Sequence, residues 1–172
     1  MKPGINNYSE IGKLNKVLLH RIGDEIEGLV PDNFERLLFD DIPYLKTAQE
    51  EHDRFADLLR ENGVEVVYYE EETAKALKDD NVRREFVKKF VADSDLYSEA
   101  VKEGLEEYLM SMPADEMVKK AISGVKKSDI IIKSNSLADY IDAGYPYHTD
   151  PLPNLYFTRD PGACIGNGVN IH

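Results

Sequence analysis

Residues 16–20 read KVLLH, an apolar and β-branched run that predicts a buried strand, ended by Gly23 and the polar Asp24-Glu25. Between Pro31 and Pro43, Leu37-Leu38-Phe39 is flanked by turn chemistry and fits either a short helix or a packed loop. The pattern then becomes helical. Leu45, Ala48, His52, Phe55 and Leu59 recur at steps of three and four, making one apolar face of a helix over 44–61. Gln49, Glu50, Asp53, Arg54 and Asp57 fill the remaining faces, and Asn62-Gly63 supplies a C-terminal stop. Residues 64–69, VEVVYY, predict a second strand, so this part of the chain is a βαβ-like or split unit.

After Glu70 the helical period dominates, over 73–78, 81–92, 98–111 and 113–123. Val82, Phe86, Val87, Phe90 and Val91 form one stripe; Val101, Leu105, Tyr108, Leu109 and Met112 form another. Pro113 suits a first helical turn, and Asp115 and Glu116 favour the positive end of the helix dipole. Ile130-Ile131-Ile132 fits strand or helix equally, and Tyr140 to His148 is rich in turn residues. The tail returns to strand character: Leu155-Tyr156-Phe157, a polar knot at Thr158-Arg159-Asp160-Pro161, then paired strands near 163–166 and 169–172. Asn167-Gly168 signals a type I′ hairpin turn between them. The organisation expected is an α/β fold with a β-containing unit at 1–72, a mainly helical inserted module at 73–150 and opening strands of a further unit at 151–172.

Composition narrows the classes. Apolar residues make up 42% and charged residues 31%, the balance of a globular chain rather than a disordered one. The apolar runs are too short for a membrane helix, which needs about twenty residues. The N-terminus, MKPGINNYSEIGK, has no apolar core of a signal peptide, so a cytoplasmic location is expected. A net charge of −12 without a basic stripe argues against nucleic acid and anionic membranes as partners. One cysteine, Cys164, excludes an internal disulfide. His20, His52, His148 and His172 lack metal-ligand spacing, and Gly166-Asn167-Gly168 is no dinucleotide fingerprint, so no cofactor is expected.

Asp160 stands where an expected strand meets a proline-enforced turn. A carboxylate on rigid backbone there can accept both arms of a planar guanidinium; it can equally pair with Arg159 or cap the turn. Asn154 and Phe157, six and three residues earlier, converge on the same pocket if the chain bends at Pro161; unaided, they read as a turn asparagine and a core phenylalanine. Leu38 reads first as core. Cys164, between Ala163 and Ile165, reads as a small buried hydrophobe rather than a nucleophile. Glu70-Glu71-Glu72 and Asp79-Asp80 read as solvated helix ends.

Three motifs in order carry a resemblance: Tyr8-Ser9-Glu10-Ile11-Gly12-Lys13-Leu14 leading to KVLLHR, then LLFDDIP with Gln49-Glu50-Glu51-His52, and finally LPNLYFTRDP followed by IGNGV. Together they resemble the arginine deiminases. The resemblance implies part of a five-bladed, pentein-like α/β propeller with an inserted helical module. It also implies hydrolysis of L-arginine to L-citrulline and ammonia, with no metal or organic cofactor, through a covalent cysteine intermediate. By resemblance Asp160 grips the substrate guanidinium, Asn154 holds its amino-acid end, Phe157 packs on its stem and Leu38 faces the ligand from a loop. The remaining catalytic residues have no counterpart among these residues, so the 172-residue chain alone is expected to be inactive and to self-associate or take up a missing C-terminal portion. Ile22 and Gly162 depart from the family's proline and bulky aromatic; Gly162 implies looser packing beside Asp160. A non-catalytic interaction module or degenerate remnant of an incomplete propeller, and action on agmatine or a methylated arginine, are the competing readings.

Overall fold

In the computed structural model, residues 4–131 and 144–171 are described. Strand β1 (Lys16–Leu19) pairs in parallel with β2 (Glu65–Tyr68), in the register Lys16–Glu65 to Leu19–Tyr68. A parallel pair requires a crossover. It is supplied by α1 (Pro31–Leu37) and the long α2 (Leu45–Glu61). Asn33 starts α1: its side-chain oxygen accepts from Val30 N at 2.9 Å, and its amide donates to the Gly28 carbonyl at 3.2 Å. Helix α2 buries His52 and Ala56, whereas Phe55 is 49% exposed. The apolar stripe expected through Phe55 is therefore corrected. The buried face runs through Ala56, because the small alanine lets the helix approach the sheet.

Four helices follow: α3 (Tyr69–Ala76), α4 (Asp80–Ala92), α5 (Glu99–Met110) and α6 (Ala114–Ser123). Asp79 caps α4 by accepting from Asn81 N and Val82 N at 2.9 and 3.2 Å. Val87, Val91, Val101, Leu105, Leu109, Met117, Val118 and Ile122 form the main core, with Phe86, Phe90, Tyr108 and Met112 packed around it. Both expected stripes face this core except at Val82, which lies on the exposed side. Strand β3 (Val125–Lys126) pairs antiparallel with β4 (Tyr147–Thr149). Ile130 and Ile131 fall in neither strand nor helix; Ile132 and Tyr140 lie outside the described residues.

The tail corrects one expectation outright. Leu155-Tyr156-Phe157 is not a strand: Pro153–Tyr156 forms a 3₁₀ turn, with Leu155 packed on the helical core. Proline at the start of that turn supplies no amide and presets its φ, which favours a tight turn over a ladder. The hairpin is present as β5 (Gly162–Ile165) and β6 (Gly168–Ile171). Its central pair is Gly166-Asn167, not Asn167-Gly168, and only Gly166 has a positive φ, +59°. Glycine first and a second residue of ordinary φ is the type II′ pattern rather than type I′. The sheets are three separate two-stranded pairs, and among the described residues none closes into a ring.

Candidate functional site

The segment carrying Asn154, Phe157 and Asp160 is fixed first by its backbone. Pro151 and Pro153 are fully buried. Gly124, at φ +78°, leaves room for Pro151: a Cβ there would lie 2.7 Å from Pro151 N and 2.8 Å from the Thr149 carbonyl. Leu152 N then donates to the Ile122 carbonyl at 2.9 Å, tying the segment to the end of α6. From here the chain advances by tight turns. Phe157 N donates to the Asn154 carbonyl at 3.0 Å, and Asp160 N to the Phe157 carbonyl at 3.2 Å. The 3₁₀ geometry ends at Tyr156, and Phe157 leaves it at φ −85° and ψ 67°, so Asn154, Phe157 and Asp160 are linked by successive turn hydrogen bonds rather than by strand alternation. The Thr158 hydroxyl donates to the Leu18 carbonyl at 2.9 Å and anchors the path to the edge of β1.

Leu38 comes to the same place. It terminates α1 in the left-handed region, at φ 60° and ψ 39°, while Phe39 N closes back to the Phe34 carbonyl at 3.0 Å. A left-handed leucine costs about 1–2 kcal/mol, yet its side chain is 85% exposed and recovers nothing by burial. Core packing does not account for Leu38. The Asn154 amide donates to the Leu37 carbonyl at 2.9 Å and so joins the two segments. Phe157 is 49% exposed, with its ring edge-on to Tyr156 at 5.4 Å. Asp160 is exposed, and the adjacent Arg159 turns instead to Glu10 at 2.8 Å. Leu38, Asn154, Phe157 and Asp160 are all exposed, and the Asn154 amide ties its segment to the Leu38 turn.

Two expectations need correction. Cys164 is exposed on β5 rather than buried, because the hairpin is covered on neither face at that position. Glu70 is not a solvated helix end. It accepts from His20 Nδ1 at 3.0 Å, while Glu25 accepts from His20 Nε2 at 3.0 Å. Burial pulls the His20 imidazole down, but the two hydrogen bonds and the two carboxylate charges outweigh it and hold the pKa at about 9. His52 goes the other way. Burial depresses it, its Nδ1 is buried without a partner, and its ring lies 6.1 Å from those of Tyr68 and Tyr156.

The pairing of Arg36 with Asp150 and Tyr145 also escaped sequence reading, since more than a hundred positions separate the partners and no local spacing links them. Gly162 does not loosen its surroundings: a Cβ would meet Val169 Cγ1 at 3.1 Å and the Asn170 carbonyl at 3.3 Å, so the hairpin is closed tightly over a glycine. Among the described residues no cluster of three or more His, Cys, Asp or Glu side chains could hold a metal ion, and no helix is long and apolar enough to cross a membrane. A groove between α4 and α5, lined by Arg84, Glu103, Glu106, Glu107 and Met110, lies on the helical module and shares no residue with this surface.

This combination of turn-borne carboxylate, amide and exposed leucine is found in a chain with clear relatives. The family profile described as arginine deiminase matches residues 35–172. Proteins described as arginine deiminase include one from Limosilactobacillus reuteri, 50% identical over 173 residues, covering 100% of this chain and 42% of that protein. Another, from Streptococcus uberis, is 48% identical over 172 residues, covering 98% of this chain and 42% of its own length. A third, from Streptococcus agalactiae, is 46% identical with the same coverage. The chain belongs to the arginine deiminase family. It spans about two fifths of the length of the curated relatives it matches.

Proposed function

We propose that these residues form the guanidinium-binding part of an arginine deiminase, which hydrolyses L-arginine to L-citrulline and ammonia. Asp160 is the cation-gripping carboxylate, Asn154 engages the amino-acid end of the substrate, Phe157 packs on its stem and Leu38 closes over it. The observation that supports the reading is the run of turn hydrogen bonds linking Asn154, Phe157 and Asp160, with the Asn154 amide bonded to the Leu37 carbonyl beside the exposed Leu38, in a chain of this family. The thiolate, the histidine acid/base and the second carboxylate pair that this chemistry requires come from elsewhere in the intact enzyme, where five α/β blades would close around the site. A cytoplasmic location and the absence of a cofactor belong to the same reading.

The test is a chimera in which this chain replaces the matching portion of the Limosilactobacillus reuteri relative. The chimera is expected to make citrulline. Asp160→Ala in it should lower kcat/KM by roughly a hundredfold or more, the order of a charged hydrogen-bond pair lost from a dry site. The isolated chain should make none. Near wild-type turnover by the Asp160→Ala chimera would remove the assignment. Citrulline formation by the isolated chain that depended on Cys164 would instead make that exposed thiol a nucleophile.

A further inference from the structure

Helix α1 carries Leu38 at its end, and the segment after β4 carries Asn154. The two meet at a single side-chain hydrogen bond, Asn154 Nδ2 to the Leu37 carbonyl. One such bond at an exposed position is too weak to hold two segments in register. A second connection lies one residue back, at Arg36. The Arg36 guanidinium reaches Asp150 with both arms: Nη1 bonds Oδ2, and Nη2 donates to Oδ1 at 2.9 Å. Nη2 also donates to the Tyr145 hydroxyl at 3.0 Å, the guanidinium carbon lies 5.5 Å from the Tyr145 ring centroid, and that hydroxyl bonds Asp150 in turn. Exposed ion pairs contribute little on average, but a forked, planar contact within a network is the exception.

We propose that Arg36 is a positioning residue, whose forked contact with Asp150 and Tyr145 fixes the Leu38 turn against Asn154. Three features support it. Asp150 directly precedes Pro151 and Pro153, which are immobilised in the core, so Arg36 is anchored to rigid backbone. Arg36 also lies two residues before Leu38, whose left-handed backbone must be held by its surroundings. Finally, burial raises the Asp150 carboxyl while the bonds from Arg36 and Tyr145 more than reverse this, so the pair stays charged at neutral pH. Lysine would keep the charge but lose the fork and the ring contact. The consequence for ligand binding rests on the guanidinium-binding reading; the latch itself does not.

The test is amide exchange and side-chain NMR on the full chain. In Arg36→Gln and in Arg36→Lys, exchange at the Phe39 amide should quicken roughly tenfold and the Asn154 side-chain amide should shift, while Val87, Leu105 and Leu109 amides stay near wild type. Asp150→Asn should reproduce both effects, and Tyr145→Phe should reproduce them more weakly if the charge variants fold poorly. Wild-type Phe39 exchange and Asn154 shifts in Arg36→Lys would overturn the proposal. So would loss of protection at the three core amides in all four variants, since the contact would then support the fold as a whole. A titration with L-arginine separates the two ideas: a latch confirmed by exchange, with no arginine-dependent shift in the chimera at Asp160, would reject the guanidinium-binding reading alone.

Discussion

His20 places a cation between Glu25 and Glu70 in an almost fully buried site, and His52 places a depressed, half-unpartnered imidazole near it. Their linkages to pH oppose each other. The folded pKa of His20 lies above its unfolded value of about 6.5, so its contribution is complete below that pH and is lost as pH rises through about 9. Burial pushes Glu70 up, but the His20 bond, the backbone hydrogen bonds and the His20 charge together hold it low, and His52 is held low by burial; both contributions are lost on acidification. Stability should therefore fall from near pH 6.5 to pH 10, with His20 accounting for as much as about 3 kcal/mol. Urea midpoints across that range check this, and in His20→Gln the alkaline decline should flatten. An unchanged alkaline limb would mean His20 is neutral. Leu38 supplies a second residue-scale prediction. Leu38→Gly relieves a left-handed leucine but adds unfolded-state entropy, so the net change should stay within about 1 kcal/mol, against several for a core leucine. A loss above about 2 kcal/mol on thermal unfolding would show that the side chain is packed after all. Leu38 was legible only by resemblance, since its apolar character pointed to the core.

At the scale of elements, periodicity located α2, α4, α5 and α6, each of which buries part of one face; it left α1 open between helix and loop, and α3 begins at Tyr69, inside the expected second strand, with no fully buried residue. The ends of α4, α5 and α6 fall within a few residues of those expected. Leu155-Tyr156-Phe157 failed for a physical reason. Three apolar residues cannot distinguish a strand from a turn, and the choice was made by Pro151 seating beside Gly124 and Gly28, with Pro153 buried at the start of the turn. That seating predicts the effect of Gly124→Ala. A methyl group would meet Pro151 N and the Thr149 carbonyl well inside contact distance, at a positive φ that alanine resists, for a loss of about 2–4 kcal/mol. Denaturant titration checks the magnitude. The accompanying displacement of 151–160 should appear as broadened Asn154 and Asp160 resonances. A variant as stable as wild type would mean that the segment shifts without penalty.

For the whole molecule, the apolar surface left open matters most. Phe157 is 49%, Ile165 67% and Val169 47% exposed, and Ile171 and Tyr8 lie beside them in the tail and its Asn7–Gly166 bridge. The short parallel pair β1–β2 also leaves Leu18 partly exposed, although parallel strands are ordinarily covered on both faces. Surfaces and edges of this kind recruit another copy or a further segment. The chain should therefore self-associate through 157–171 at micromolar concentration and bind a hydrophobic dye; Ile165→Lys with Val169→Lys should return it towards the monomer. A dye-silent monomer in light scattering would refute this.

From the residues alone came the family, helices α4 to α6 with the inward stripes of α4 and α5, the presence of a tail hairpin and the candidate set Asp160, Asn154, Phe157 and Leu38. These are legible because period, capping and turn chemistry act over a few neighbouring residues, and because three motifs in order are specific. The tertiary structure decided what depends on partners far apart in the chain: the tie between Asn154 and the Leu38 turn, the left-handed exposure of Leu38, the buried His20–Glu25–Glu70 cluster and the Arg36–Asp150 fork. A local pattern cannot encode such pairings, since each exists only once packing brings its two segments to within a hydrogen bond of each other.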